Sequence, residues 1–482
     1  MKTTTIFTNL LKRSFLIPLF ACSLLVSAKA VTPSPDGGYP GGNTAEGESA
    51  LLNLNTGTYN TAIGFFSLES NVIGDLNTAV GAGALATNAA DNNTATGAGA
   101  LLNNNTGTAN TADGVFALFN NTTGDSNTAF GFGALGNSTT ASSSTAVGAN
   151  ALLNNTTASG NTAVGSNALS SNTTGGTLGV TMFLHVGPNV AVGESALASN
   201  TIASANTAVG YQALGHNTTG LDDTDLSAST AVGFQTLANA TGPDSAFNDA
   251  FGYQALFTLT GGHDNVSIGT QSLYFATTGS GNVALGSSAG NGITTGSFNI
   301  CIGSGNEAGN SISTASNVIA IGTNGANVNN SCYIGNIFNS TSPAGAAVFV
   351  NSDGKLGTST SSRRFKEEIK PMEEASEAVY ALKPVIFRYK KEIDPQRTSQ
   401  FGLVAEDVEK VNPELVVRDK DGKPYTVRYD QVNAMLLNEF LKEHRTVQKQ
   451  GAMIARQQKQ IEELSTGLQK VSTLLATRHS VN

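Results

Sequence analysis

Few side chains in this 482-residue chain combine the right type with the right spacing for chemistry. Asp222-Asp223-Thr224-Asp225 sets three carboxylates within four residues, and hard oxygens of that kind bind calcium. An acidic surface run is more ordinarily a solvated loop, so no metal is expected there. His185, His216 and His263 stand apart, without the short intervals that ligating histidines share. Cys301 and Cys332 differ in their offset from the nearest repeated glycine. They are therefore expected to be free, buried thiols rather than a disulfide. No pair of carboxylates suggests the acid and base of a glycan-cleaving enzyme, and no cofactor is expected.

The elements that carry these residues fall into chemically different regions. Charged residues make up only 13% of the chain, about half the usual share. No Lys or Arg occurs between Ala30 and Lys355. Residues 31–360 hold one Lys against 17 Asp or Glu, and residues 361–482 hold 21 Lys or Arg against 18 Asp or Glu. A long acidic region and a near-neutral one imply different tasks. The overall charge of −9 argues against nucleic acid as a partner.

Residues 1–30 have the order of a secretory leader: Lys2, Lys12 and Arg13, an apolar run over 15–26, then Ala28-Lys29-Ala30. Cleavage after Ala30 and a secreted or bacterial cell-surface location are the expectation. A lipoprotein signal through Leu19-Phe20-Ala21-Cys22 is the weaker alternative, because Phe20 is bulky. No later segment is apolar enough to span a membrane.

From about residue 45 to 340 the phrase Asn-Thr-Ala-x-Gly recurs, usually followed by x-x-Ala-Leu. Sixteen such glycines run from Gly64 to Gly335, most of them 17 residues apart, with insertions around 181–188 and 221–229. Thr-Ala-Val is short, alternating and β-prone, and Asn and Gly suit tight turns. One unit cannot bury a core alone, but stacked units can. At about 4.8 Å per rung, sixteen copies make a rod of roughly 75 Å. The small inward residues are expected to serve close approach between chains around an axis. The repeats resemble the head repeats of trimeric bacterial adhesins, which form parallel β-rolls, although the period here is longer.

At Ser361 the pattern changes. Helices are expected over 363–370 and 373–382, strands over 385–389, 402–405 and 425–429, and a short helix over 406–411. A long helix is expected from about 430 to 477. There Phe440, Val447, Ile454, Ile461, Leu468 and Leu475 recur every seven residues, the seam of a coiled coil. Its companion positions include polar Glu443, Gln450 and Gln457.

The blocks Ser361-Ser362-Arg363-Arg364-Phe365-Lys366, Phe387-Arg388-Tyr389, Gly402-Leu403-Val404-Ala405-Glu406-Asp407-Val408, Pro413-Glu414-Leu415 and Val427-Arg428-Tyr429-Asp430 come in one order. Over about a quarter of the chain they resemble the intramolecular chaperone auto-processing domain of phage endosialidase tailspikes. That resemblance implies a domain that trimerises, assists folding of the upstream β fibre and cuts itself off. It implies Ser361 as nucleophile, Lys366 as its partner and Thr360–Ser361 as the scissile bond. Where the family usually has Asp after the serine, this chain has Ser362.

The expected organisation is a leader (1–30), a linker (31–44), a β-solenoid fibre (45–340) and a linker to the cut (341–360). The auto-processing domain (361–430) and a coiled-coil helix with its tail (431–482) follow. The expected fold is mainly β, a trimeric parallel β-solenoid followed by a small α/β domain. The expected function is a secreted, homotrimeric, adhesin-like fibre with a self-releasing chaperone, acting once in cis on itself. A cell-surface or glycan ligand would bind the rod. The alternative is a surface adhesin whose C-terminal module is a permanent trimerisation tag.

Overall fold

The computed structural model describes residues 39–479, apart from 176–178, 182–183, 219–227, 243–244 and 306–307. The leader, most of the linker after it and the acidic run 222–225 lie outside the described residues. The chain divides into two compact units, Met1–Ser340 and Thr341–Asn482.

The first unit is a parallel β-solenoid with a 17-stranded sheet. Every strand is one Thr-Ala-x triplet or its variant, and consecutive triplets pair in register, Ala62 on Ala79 and Ala79 on Ala95. The first strand, Thr44–Glu46, lies one copy before Gly64. Insertions do not break the ladder. Gly179–Thr181 and Leu184–Val186 form their own antiparallel hairpin, and Thr162–Val164 then pairs directly with Val190–Val192.

The core holds three apolar columns: the middle Ala of each strand and the Ala-Leu pair after the glycine. Ala79, Ala84 and Leu85 are all fully buried. The leucines reach inward from the left-handed region, Leu68 at φ 49° and Leu85 at φ 52°. That conformation costs about 1–2 kcal/mol, and burying a leucine returns about 2 kcal/mol. The repeated glycine is obligatory. Gly148 sits at φ +133°, and a Cβ there would lie 2.5 Å from the carbonyl oxygen of Gly165 in the next coil. The close approach that selects small residues thus occurs between successive coils of one chain, and the between-chain reason expected from sequence is not needed.

A fourth buried column is polar. The Asn of Asn-Thr-Ala faces inward, so it is not a turn residue. Asn110 Oδ1 accepts from the backbone N–H of Asn127 at 3.0 Å and from its Nδ2 at 3.1 Å. Asn110 Nδ2 in turn donates to the carbonyl of Gly124 at 2.8 Å. A second ladder runs through Asn88, Asn104 and Asn121. These amides satisfy turn backbone that would otherwise be buried without partners. The core ends in tyrosines: Tyr39 packs on it near its start, and Tyr333 near its end stands where other strands carry Ala.

Cys301 occupies an inward strand position and is buried and free, its thiol pushed up to about 12 by burial. Cys332 is free but exposed, contrary to the expected burial, because it begins its strand and so faces out.

The second unit starts with a hairpin, Val348–Val350 against Leu356–Thr358, within what the sequence suggests is linker. Then come 3-10 turns at Arg363–Phe365 and Glu373–Ala381, so the helix expected over 363–370 is a single turn. Strand Val385–Phe387 pairs with Gln400–Gly402. Helix Ala405–Val411 precedes Val416–Arg418, a strand that sequence reading missed, paired with Pro424–Val427. The last helix runs Tyr429–His479. Its heptad seam is uncovered, each of the six residues from Phe440 to Leu475 being 54–70% exposed. No described helix is long and apolar enough to cross a membrane.

Candidate functional site

Backbone geometry explains how Ser361 and Lys366 meet. Ser362 is extended, at φ −64° and ψ 138°, and one 3-10 turn follows. The N–H of Phe365 donates to the carbonyl of Ser362 at 3.0 Å, and that of Lys366 to Arg363 at 3.1 Å. The tight turn folds the chain back, so Lys366 Nζ donates to Ser361 Oγ at 3.3 Å. The serine lies on the extended lead-in, where a lysine five residues later can reach it. Arg364 places its guanidinium 4.6 Å from the centre of the Phe365 ring. Thr360, Ser361 and Lys366 are all exposed in the single chain.

Three of the other blocks meet in a small core through Val408, Leu415 and Val427, which Val416, Val432 and Met435 complete. Tyr429 Oη accepts from the N–H of Leu403 at 3.0 Å. The N–H of Arg428 donates to Leu415 O at 2.8 Å.

Sequence reading missed a polar clasp on the last helix. Glu439 is nearly buried and accepts from Ser376 Oγ, from Tyr380 Oη at 2.9 Å and from Lys442 Nζ at 2.7 Å. Asn438 Nδ2 adds a bond to Ser376 Oγ at 2.7 Å. The Lys442 ammonium and the hydroxyl donors hold the Glu439 carboxyl below the usual carboxylate range, and that carboxylate in turn pushes the Tyr380 phenol up. The clasp pins Glu373–Ala381 to the last helix. Its only sequence signal was an acid and an amide on one expected helix and two hydroxyl residues on another.

Among the described residues no three His, Cys, Asp or Glu converge as metal ligands. His216 instead bonds Asn239, and His263 bonds Asp264. No curated protein and no solved structure matches the chain. One family model does match, in the module that holds these blocks: residues 361–417 are similar to the family described as chaperone of endosialidase.

Proposed function

We propose that the chain is an exported, homotrimeric β-solenoid fibre. Its second unit assembles and templates the rod, then releases itself by cutting Thr360–Ser361. The bond between Lys366 and Ser361 carries the cutting step, and the family match beginning at Ser361 supports it. Association is supported by the second unit's meagre core and by its uncovered Phe401, Ile386 and heptad seam. A core of so few buried residues needs a further source of stability, and oligomerisation is one.

In the proposed chemistry, Ser361 Oγ attacks the carbonyl carbon of Thr360. Lys366, as the neutral amine, takes the hydroxyl proton and delivers it to the departing amide nitrogen of Ser361. The C–N bond breaks and leaves an ester between Thr360 and Ser361 Oγ. Water then hydrolyses that ester, giving the Thr360 carboxylate and the free Ser361 hydroxyl. A lysine acts as such a base when desolvation favours its neutral form. The site is open in one chain, so assembly would supply the burial, and cutting follows assembly.

Denaturing mass spectrometry of purified protein tests this. The expected fragments join at Thr360–Ser361. Ser361→Ala should leave the chain whole, and Lys366→Ala should slow cutting at least a hundredfold, the lower range for a general base. Normal cutting in Ser361→Ala would sink the assignment. An uncut wild-type chain would favour the permanent-tag reading, to which Ser362 in the usual Asp position lends weight.

A further inference from the structure

In each strand of the solenoid sheet the middle residue faces in and its neighbours face out. The first outward residue is threonine in every strand from Thr44–Glu46 to Thr230–Val232 except Val190–Val192, and Asp249 begins the next. From Val266 onward the chemistry changes. Strands Val266–Ile268, Val283–Leu285, Ile300–Ile302, Ile319–Ile321 and Cys332–Ile334 turn out nine aliphatic side chains and one thiol, with no charge and no hydroxyl. Leu285 is 47%, Ile334 44% and Ile268 40% exposed. The five strands adjoin in one ladder, so the face is about 19 Å long at ~4.8 Å per strand. It exposes roughly 600 Å² of apolar surface, at the limit of what a lone soluble chain leaves bare.

We propose that this face is a collar through which copies of the chain bind one another, and that the threonine-faced strands upstream are not part of the contact. The outward residues select the occupant. The solenoid is acidic without a single Lys or Arg between Ala30 and Lys355, so two copies repel wherever acids face each other. Outward charge in the strands is confined to Glu46, Asp113 and Asp249, and the collar, bounded by Asp249, is the run of five strands that lacks both charge and hydroxyl. It offers nothing to pair a charged partner and no hydroxyl or amide side chain to bond a sugar, whereas a like aliphatic face fits it. The estimated area approaches the ~800 Å² per partner of a standard stable interface. The uncovered heptad seam of the last helix independently calls for copies of the same chain. The collar rests on the fibre reading for its number of copies, but not on self-cleavage. It gives the released rod an interface that survives loss of the helix.

Native Cys332 lies in the collar, and Cys301 is buried in the core, so with Cys22→Ser to silence the leader's thiol a bis-maleimide reads the contact in the whole protein. Wild type should be trimeric by light scattering and should cross-link through Cys332. Thr145→Asp and Thr162→Asp should change neither property. In uncut Ser361→Ala chains, Ile302→Asp should lose at least nine-tenths of the cross-linking while the helix still holds three chains. Ile302→Thr, milder and of the upstream residue type, should lower cross-linking with its circular dichroism unchanged. A trimer in which Cys332 never cross-links, or in which both Ile302 variants cross-link as wild type does, overturns the collar alone. A monomeric wild type overturns the fibre reading as well.

Discussion

Single atoms in the coils and the clasp set much of the energetics. In Gly148→Ala the new methyl would sit 2.5 Å from the Gly165 carbonyl oxygen, at a φ that only glycine adopts readily. The loss should be about 3 kcal/mol or more, seen as a rod that unfolds earlier on heating or fails to assemble. The second asparagine ladder offers the opposite sign. Where Ser138 interrupts it, Asn121 Oδ1 and Ser138 Oγ have no partner. Ser138→Asn should restore the amide bond and stabilise the rod by about 1 kcal/mol, measurable as a rise in Tm. Glu439 gives a pH signature. Its carboxyl is held below the usual range, so its contribution to folding is full above the ordinary carboxylate pKa. That contribution is lost as pH falls through the depressed value. Hydrogen exchange over Glu373–Ala381 should therefore quicken in acid, and Glu439→Gln should remove the pH dependence.

Among the elements, outer ladders reinforce the coils that span an insertion. Tyr211, Phe234 and Tyr253 stack with centroids 5.1 and 5.3 Å apart and planes within 16°. Beside them the amides of Gln212, Gln235, Gln254 and Gln271 bond in series. The Tyr211–Phe234 step crosses the second insertion, and the neighbouring rings cover much of Phe234's two faces. The stack thus clamps register more readily than it offers ring faces to a sugar. Phe234→Ala should cost about 1–2 kcal/mol from lost stacking and apolar contact, with exchange rising first at residues 207–209 and 230–232. Beyond its clasped first turns, the last helix has no face packed on its own chain, residues 443–477 being exposed. Ile461→Asp should leave the helix content of the full-length protein lower and its mass by light scattering below three chains.

The whole molecule poses a folding problem. Each coil pairs only with its neighbours, about 17 residues away, and buries no core until another coil is stacked on it, so the costly step is the first alignment of coils. A C-terminal module that first gathers the chains would align them at Thr360 for stacking. A chain stopped at Thr360 should then aggregate when made alone, while a rod matured from the full chain should persist without residues 361–482 and fail to refold once denatured. Normal assembly of the stopped chain, followed by electron microscopy and light scattering, would leave the second unit needing another purpose.

The 17-residue recurrence of Thr-Ala-x-Gly was enough to determine a parallel solenoid with Ala and Leu inside, because a period repeated so often admits one stacking, whereas the Val expected to line up with them is third in its strand and faces out. The unbroken seam from Phe440 to Leu475 likewise determined the long helix, and the ordered blocks after Ser361 marked the segment that is similar to the chaperone-of-endosialidase family. Tertiary structure alone decided which way the polar residues point. Asn and Ser are as common in turns as in buried ladders, so the inward Asn110 column and the clasp at Glu439 show only once the neighbouring coil or helix is in place. The exposed Cys332, the single turn at Arg363–Phe365 that brings Lys366 to Ser361, and the hairpin ahead of Ser361 depend on the same thing. Their side chains and pairings are set by contacts between residues that no local pattern joins.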